Sequence, residues 1–208
     1  MLRRALLANA LLATALLLPR PALAQAGGDP AAAAAFIQRA GGELAATIGG
    51  PGTVEEKRRR LEPFLRRVVD VDGVARFVLG RFWRMATPQQ QTAYLVLFHR
   101  VLANAVAGRL GEYDGGQVGI AVGRPEVRPE GILVPTTVTR PNNKPFNVAW
   151  LVTAEVGGYR IADVVAEGMS LRLAQRSDYT SFLTRNNNDI DALIRALEAQ
   201  VGQGAGLR

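Results

Sequence analysis

The 208-residue sequence contains no cysteine and a single histidine, His99. Without cysteine the protein forms no disulfide and holds no thiol nucleophile, iron–sulfur cluster or cysteine-ligated zinc. One histidine leaves little for a histidine-rich metal site or a histidine-activated nucleophile. The composition therefore excludes several common kinds of catalytic centre before any motif is considered.

Long hydrophobic runs are also scarce, and the one near the N-terminus is short. Two arginines precede an apolar run over residues 5–18, and the small residues of Ala-Leu-Ala end at Ala24, as a signal peptidase requires. As a helix this run would span about 21 Å, less than the ~30 Å hydrocarbon core of a bilayer. We predict a signal peptide over residues 1–24, cleaved after Ala24, and a single exported, soluble domain over residues 25–208.

Acidic residues are outnumbered by basic ones, 18 against 25, which gives a net charge of +7. Residues 53–111 hold eleven basic and five acidic side chains, whereas residues 112–208 hold ten and eleven. Nucleic acid is disfavoured as a partner because the chain is predicted to be exported and no aromatic residues interleave with the basic run. We expect Arg58, Arg59 and Arg66 to dock on an envelope partner or lipid headgroups, the alternative being a solvated face.

The first half of the mature chain has the periodicity of helices. An alanine-rich stretch over residues 29–48 carries apolar residues at helical spacing. Thr53 and Glu56 form a capping box that opens an arginine-rich helix. We expect Asp72 to cap a third, shorter helix and Thr87 to cap a long fourth helix.

Beyond residue 115 the apolar period changes from 3.6 to 2. The alternation predicts four strands, over residues 118–122, 132–138, 146–153 and 159–165. Two helices follow, at roughly residues 175–185 and 189–201. This order predicts an α+β domain in which a helical layer packs on a curved antiparallel sheet of about four strands.

Candidate catalytic residues are few. Ser170 follows a Gly-Met pair, as in a nucleophile elbow, but the second glycine is missing and the preceding strand is predicted to be antiparallel. Asp189 and Asp191 resemble the start of a calcium loop without its glycine and glutamate, so a helix cap is favoured. His99 has no charged residue three or four positions away and is interpreted as structural. We therefore expect the protein not to be an enzyme. Two alternatives stay open: an exported hydrolase with a similar α+β fold, or an envelope interaction module whose core is filled by its own side chains.

Residues 78–90, Val-Leu-Gly-Arg-Phe-Trp-Arg-Met-Ala-Thr-Pro-Gln-Gln, resemble a motif of the MlaC family. Its members are periplasmic phospholipid-binding proteins, also called toluene-tolerance auxiliary proteins. The resemblance continues through Pro-Asn-Asn-Lys-Pro at 141–145 and Ala-Glu-Gly-Met-Ser at 166–170, and it is clearest over residues 70–197. Tyr159 stands where many members have tryptophan.

The resemblance implies a fold related to NTF2-like and cystatin-like sheets, with acyl chains held between sheet and helices. It also implies a shuttle that carries phospholipid between an outer-membrane lipoprotein complex and an inner-membrane ABC transporter with an MCE-domain subunit, and so maintains outer-membrane asymmetry. Because nothing in the sequence indicates an obligate dimer, we expect a monomer. Phospholipid is then the cargo, with no cofactor and no metal. A hopanoid-associated branch of the family leaves the class of lipid open.

We expect the lipid cavity to be lined by apolar side chains from one face of the strands and from the helices that cover it. The expected lining residues are Val74, Val78, Phe82, Phe98, Leu102, Val134, Val138, Phe146, Val148, Trp150, Val152, Ile161, Met169 and Leu171. The same residue types would fill an ordinary core, and periodicity alone does not separate the two possibilities.

Overall fold

The computed structural model describes residues 28–49, 52–111, 118–140 and 143–203. The predicted signal peptide, residues 1–24, lies outside the described residues. The described elements are, in order, α1 (Pro30–Gly49), α2 (Val54–Val68), α3 (Val71–Leu79), α4 (Arg81–Met85), α5 (Pro88–Gly111), β1 (Gly119–Val122), β2 (Glu126–Arg128), β3 (Gly131–Thr139), β4 (Phe146–Glu155), β5 (Gly158–Ala166), β6 (Met169–Ser170), α6 (Leu171–Arg185) and α7 (Ile190–Gly202). None of these helices is both long and apolar enough to cross a bilayer.

The starts of α2 and α5 are set by the two predicted side-chain caps. The Thr53 hydroxyl accepts from the Glu56 amide at 3.2 Å, and the Glu56 carboxylate accepts from the Thr53 amide at 2.7 Å. Thr87 and Gln90 make the same reciprocal pair at 3.2 and 3.0 Å. Each pair satisfies two backbone groups that the first helical turn leaves open. Both predicted starts are therefore confirmed.

The third helix differs from its prediction in its cap and in its length. Asp70, not Asp72, caps α3, since its carboxylate accepts from the Gly73 amide at 2.9 Å. The apolar stripe that predicts one helix continues past residue 79, but Gly80 adopts φ +58° and divides it into α3 and α4. A positive φ is accessible to glycine at little cost, and it ends the regular helical geometry. The expected Asp72 cap is wrong, and Asp72 lies within the first turn.

The sheet is antiparallel, and its strand order is β1-β3-β4-β5-β6, with β2 paired to the other end of β3. The expected number of about four strands is therefore too low, since the described sheet has six. The additional strands, β2 and β6, have three and two residues, too few to produce an alternating pattern. A β-bulge where Leu151 and Val152 of β4 meet β5 adds local twist.

The helices and the sheet meet at the junction between α2 and α3. Val69 packs against all three clusters of buried residues, one among α3–α7, one among α1, α2 and α5, and one between α1 and the sheet. It forms a parallel bridge with Ile161 of β5, and the Asp70 amide donates to the Ile161 carbonyl at 3.0 Å. The helical layer is thus attached to β5 by backbone hydrogen bonding as well as by packing.

The N-terminus of α1 is held on the sheet by Tyr159 of β5. Its hydroxyl accepts from the Asp29 amide at 2.8 Å and donates to the Asp29 carbonyl at 3.2 Å. The ring packs on Phe36 with a centroid distance of 6.1 Å. A tryptophan N–H at this position would only donate, so tyrosine supplies both halves of this contact.

Two buried tyrosines in the helical cluster differ in their hydrogen bonding. The Tyr94 hydroxyl donates to the Ala75 carbonyl at 2.9 Å. Among the described residues, the buried Tyr179 hydroxyl has no hydrogen-bond partner. The rings meet edge to face with centroids 6.4 Å apart. Burial raises the pKa of both hydroxyls above the usual tyrosine value.

We expect Tyr179→Phe to raise the free energy of unfolding by about 1 kcal/mol, because it removes a buried hydroxyl that lacks a partner. Tyr94→Phe is the matched control and should lower it by about 1 kcal/mol, because it removes a made hydrogen bond. A buried tyrosine keeps its proton in the folded protein but loses it above about pH 10 in the unfolded chain. The free energy of unfolding of the wild type should therefore fall as the pH rises above about 10, and Tyr179→Phe should show a shallower fall. Urea unfolding at pH 7 to 11 measures all three effects. Destabilisation by Tyr179→Phe would show that its hydroxyl does have a partner.

Candidate functional site

One face of the sheet carries every strand residue that was expected to line a cavity. The register pairs Val134 with Trp150 and Val138 with Phe146, and directly opposed residues project to the same side. The face, named here the apolar face, consists of Ile120, Val122, Ile132, Val134, Thr136, Val138, Phe146, Val148, Trp150, Val152, Ile161, Val164 and Ala166. The period-2 alternation in the sequence therefore identifies this surface.

The apolar face is covered at one end and open at the other. At the covered end, Val134 and Val152 are fully buried and belong to the cluster formed with α1. Towards the other end, Val138 and Trp150 are half-buried, and Phe146 is 37% exposed. We call the region around Phe146, Val148, Ala166 and Met169 the open end. Here β5 passes between β4 and β6, and Met169 beside it is 64% exposed.

The polar atoms in the middle of the apolar face are hydrogen-bonded within the sheet. The Trp150 indole N–H donates to the Thr136 hydroxyl at 2.9 Å. That hydroxyl donates in turn to the Val148 carbonyl at 2.9 Å. A buried polar group that already has its partner needs none from a ligand. The face therefore presents hydrocarbon to whatever covers it.

The helical residues expected in the lining divide into two groups. Val78, Phe82 and Phe98 are each 1% exposed and lie inside the cluster formed by α3–α7. Val74 and Leu102 are half-buried at the margin of the same cluster. Only the second group retains accessible apolar surface.

The two remaining lining candidates lie near the start of α6. Met169 belongs to β6 and pairs with Ala166 of the open end. Leu171 is 51% exposed in the first turn of α6. Both side chains are therefore accessible at an edge of the sheet and not enclosed by it.

Ser170, the candidate nucleophile, is tied into the local structure. Its hydroxyl accepts from the Leu173 amide at 3.1 Å as the N-cap of α6, and it donates to the buried Asp163 carboxylate at 2.5 Å. That carboxylate also accepts from the amides of Val164 and Arg172, at 2.8 and 3.1 Å. The group connects β5, β6 and α6. Sequence reasoning assigned Asp163 no role, although an acidic residue inside an apolar strand is a signal for one.

His99 has a charged partner, contrary to the interpretation from the sequence. Its Nε2 lies 2.7 Å from Asp72 Oδ1, across the contact between α5 and α3. Asp72 Oδ2 is also 3.9 Å from Arg76. The partner was missed because it is 27 positions away, beyond the reach of helical spacing. In the part of the chain that is described, no three potential metal ligands of the His, Cys, Asp or Glu type cluster together.

The arginines expected to dock on a partner differ in their surroundings. Arg58 donates twice to Glu55, at 2.9 and 2.6 Å, and once to Asn104 at 3.2 Å. This hydrogen bonding lowers the pKa of the Glu55 carboxyl. Arg66 and Arg59 are both exposed, and Arg66 pairs with Glu62 at 3.0 Å. The charge of α2 is thus partly neutralised along the helix itself, by pairs of a kind that add little stability at a surface.

Comparison with known proteins agrees with this architecture. A family model described as MlaC protein matches residues 45–199. The toluene tolerance protein Ttg2D of Pseudomonas putida is 27% identical over 146 residues, which cover 69% of this chain and 66% of that protein, just under two thirds of its length. The structure of the phospholipid-binding protein from Ralstonia solanacearum in complex with a phospholipid matches with a TM-score of 0.73 and 21% identity, over 83% of this chain and 98% of that chain. This structural similarity confirms the predicted α+β fold.

Proposed function

The chain belongs to the MlaC family, whose model matches residues 45–199, and on this premise we propose that it is a periplasmic phospholipid carrier with no enzymatic activity. The observation that carries the proposal is the apolar face, half-covered and open at one end, with its polar atoms hydrogen-bonded internally. The similarity to a toluene tolerance protein and to a phospholipid-binding protein supports it.

The physics of lipid transfer explains why such a surface is sufficient. Two acyl chains hold about 30 methylenes, and exposing them to water at ~0.8 kcal/mol each costs on the order of 24 kcal/mol. Spontaneous transfer between membranes is therefore very slow. A carrier needs a surface that imitates the bilayer interior, and a cavity that bound lipid much more tightly than the membrane would prevent delivery. Few polar contacts to the acyl chains are needed. In agreement with this, the polar atoms of Thr136 and Trp150 on the apolar face are hydrogen-bonded to each other.

The proposed lining follows the exposure of the candidate residues. The strand residues of the apolar face form one wall, and Val74 and Leu102 form part of the opposite wall. Val78, Phe82 and Phe98 support that helical wall from behind, within the α3–α7 cluster. Met169 and Leu171 form the rim.

The proposed cellular role follows the family. The signal peptide, cleaved after Ala24, directs export, and the monomeric carrier moves phospholipid between an outer-membrane lipoprotein complex and an inner-membrane MCE-domain ABC transporter. This transfer maintains the asymmetry of the outer membrane. Arg58, Arg59 and Arg66 contribute to docking, with exposed Arg59 the most available of the three.

Mass spectrometry of the protein and of its organic extract tests the proposal. The full chain is expressed in a Gram-negative host and purified without detergent from the periplasm, beside an unrelated periplasmic protein as the control. We expect about one phospholipid per protein in the sample and none in the control. Absence of lipid would favour an interaction module, and hopanoid as the only lipid would favour the hopanoid-associated branch of the family. Lipid hydrolysis that disappears in Ser170→Ala would favour a hydrolase.

A further inference from the structure

Arg140 lies at the open end of the apolar face, directly after β3. The alternation of Thr136 and Val138 along β3 places it on the same side of the sheet. Its guanidinium carbon is 5.1 Å from the centroid of the Phe146 ring, which lies on that face and is 37% exposed. A cation thus lies beside the accessible end of a surface that is otherwise hydrocarbon.

This cation lacks a partner among the described residues. No described carboxylate pairs with Arg140, and its buried Nε has no hydrogen-bond acceptor. Arg172, a half-buried arginine at the start of α6, also has a buried Nε without a hydrogen-bond partner, but a carboxylate, that of Asp163, lies 3.4 Å from it. Arginine stays protonated at any physiological pH, and a buried N–H without an acceptor is unfavourable. The arrangement favours an anionic acceptor that arrives with a ligand.

We propose that Arg140 binds the phosphate group of a phospholipid whose acyl chains lie on the apolar face. This inference rests on the proposed function and specifies the cargo: a lipid that carries phosphate, and not a neutral lipid or a hopanoid. The cation–π contact with the Phe146 ring holds the guanidinium at the open end, where its N–H groups can donate to phosphate oxygens. Lys144 is exposed near the same end, but it is a flexible point charge without such a stack.

Paired lipid probes test the assignment. The purified, delipidated chain is titrated with fluorescent phosphatidylglycerol and with diacylglycerol carrying the same acyl chains. Wild-type protein should prefer the phospholipid by about tenfold or more, the effect expected of a charge-assisted hydrogen bond. Arg140→Gln should weaken phosphatidylglycerol binding by about tenfold and leave diacylglycerol binding unchanged. Arg124→Gln, which removes an exposed cation after β1, is the matched control and should change neither.

The outcomes separate this site from the alternatives. Equal weakening of both probes by Arg140→Gln would indicate a structural role and overturn the assignment, as would unchanged phosphatidylglycerol binding. Inorganic phosphate that binds Arg140 at micromolar concentration, independently of either lipid, would identify a free-phosphate site instead. Wild-type protein that bound neither probe would overturn the proposed function itself. Thermal melting of each variant confirms that the comparison is between folded proteins.

Discussion

Replacing Val148 with arginine is expected to reduce the phospholipid that co-purifies with the protein to less than a tenth of the wild-type amount. Val148 lies on the apolar face between Thr136 of β3 and Ala166 of β5, and it is 9% exposed. The longer arginine side chain would fill space where acyl chains are proposed to lie, with its cation directed towards the open end. If it displaces about three methylenes at ~0.8 kcal/mol each, binding weakens by about 2.4 kcal/mol, or roughly fiftyfold.

The fold should tolerate this substitution, because the site borders the open end of the face. An arginine at position 148 can extend past exposed Phe146 and keep its guanidinium in water. Val156→Arg is the matched control, since it makes the same chemical change at a fully exposed turn at the far end of β4. Lipid is measured by mass spectrometry of the extract, and the fold by far-UV circular dichroism and melting temperature. Full lipid occupancy in a folded Val148→Arg variant would contradict the proposed cavity.

Local signals account for the parts of the fold that the sequence predicted well. A capping box lies within four residues, so Thr53 and Thr87 identify the starts of α2 and α5 whatever the rest of the chain does. The helix α6 begins at Leu171, four residues before its predicted start. Its cap, Ser170, was considered only as a possible nucleophile, and the first turn, with exposed Leu171 and Leu173, carries no helical apolar pattern.

The sequence predicted which strand residues share one face of the sheet but not which helical residues stay accessible, because a period of 2 and a period of 3.6 carry different information. In a strand, a period of 2 assigns every second residue to one face, so the apolar residues of β3 and β4 lie together. A helix within a bundle touches neighbours on several sides. Periodicity therefore placed Phe98 and Leu102 on one stripe but did not reveal that Phe98 packs among helices while Leu102 lies at the margin.

Contacts between distant residues left no pattern to detect. His99 and Asp72 are brought together only when α3 packs near α5. The same holds for Asp163 and Arg172, which meet where α6 folds back on β5. Arg140 gives no signal in the sequence, because its contact with the Phe146 ring depends on the register of β3 against β4.

Removal of the Asp163 carboxylate should have the largest effect on stability. The side chain is 5% exposed, and it accepts from two backbone amides and from Ser170 while it lies 3.4 Å from the Arg172 guanidinium. Asp163→Ala would leave a largely buried cation and several donors without an acceptor. We expect the free energy of unfolding to fall by about 3–5 kcal/mol. Asp189→Ala, which removes the exposed cap of α7, should cost only about 1 kcal/mol.

Two further substitutions separate the charge of Asp163 from its hydrogen bonds. Asp163→Asn supplies an amide oxygen that can still accept from backbone N–H groups, but it removes the charge that faces Arg172. The free energy of unfolding should therefore fall by an intermediate amount. Ser170→Ala removes one hydrogen bond and the cap of α6 and should cost about 1–2 kcal/mol. Urea unfolding at pH 7 gives all four values. If Asp163→Ala cost no more than Asp189→Ala, the carboxylate would not be a buried partner of Arg172. If Asp163→Ala instead lowered the free energy of unfolding by about 4 kcal/mol, we would infer that the Asp163 carboxylate holds α6 against the sheet. The rim residues Met169 and Leu171 would then be held in place by the same carboxylate.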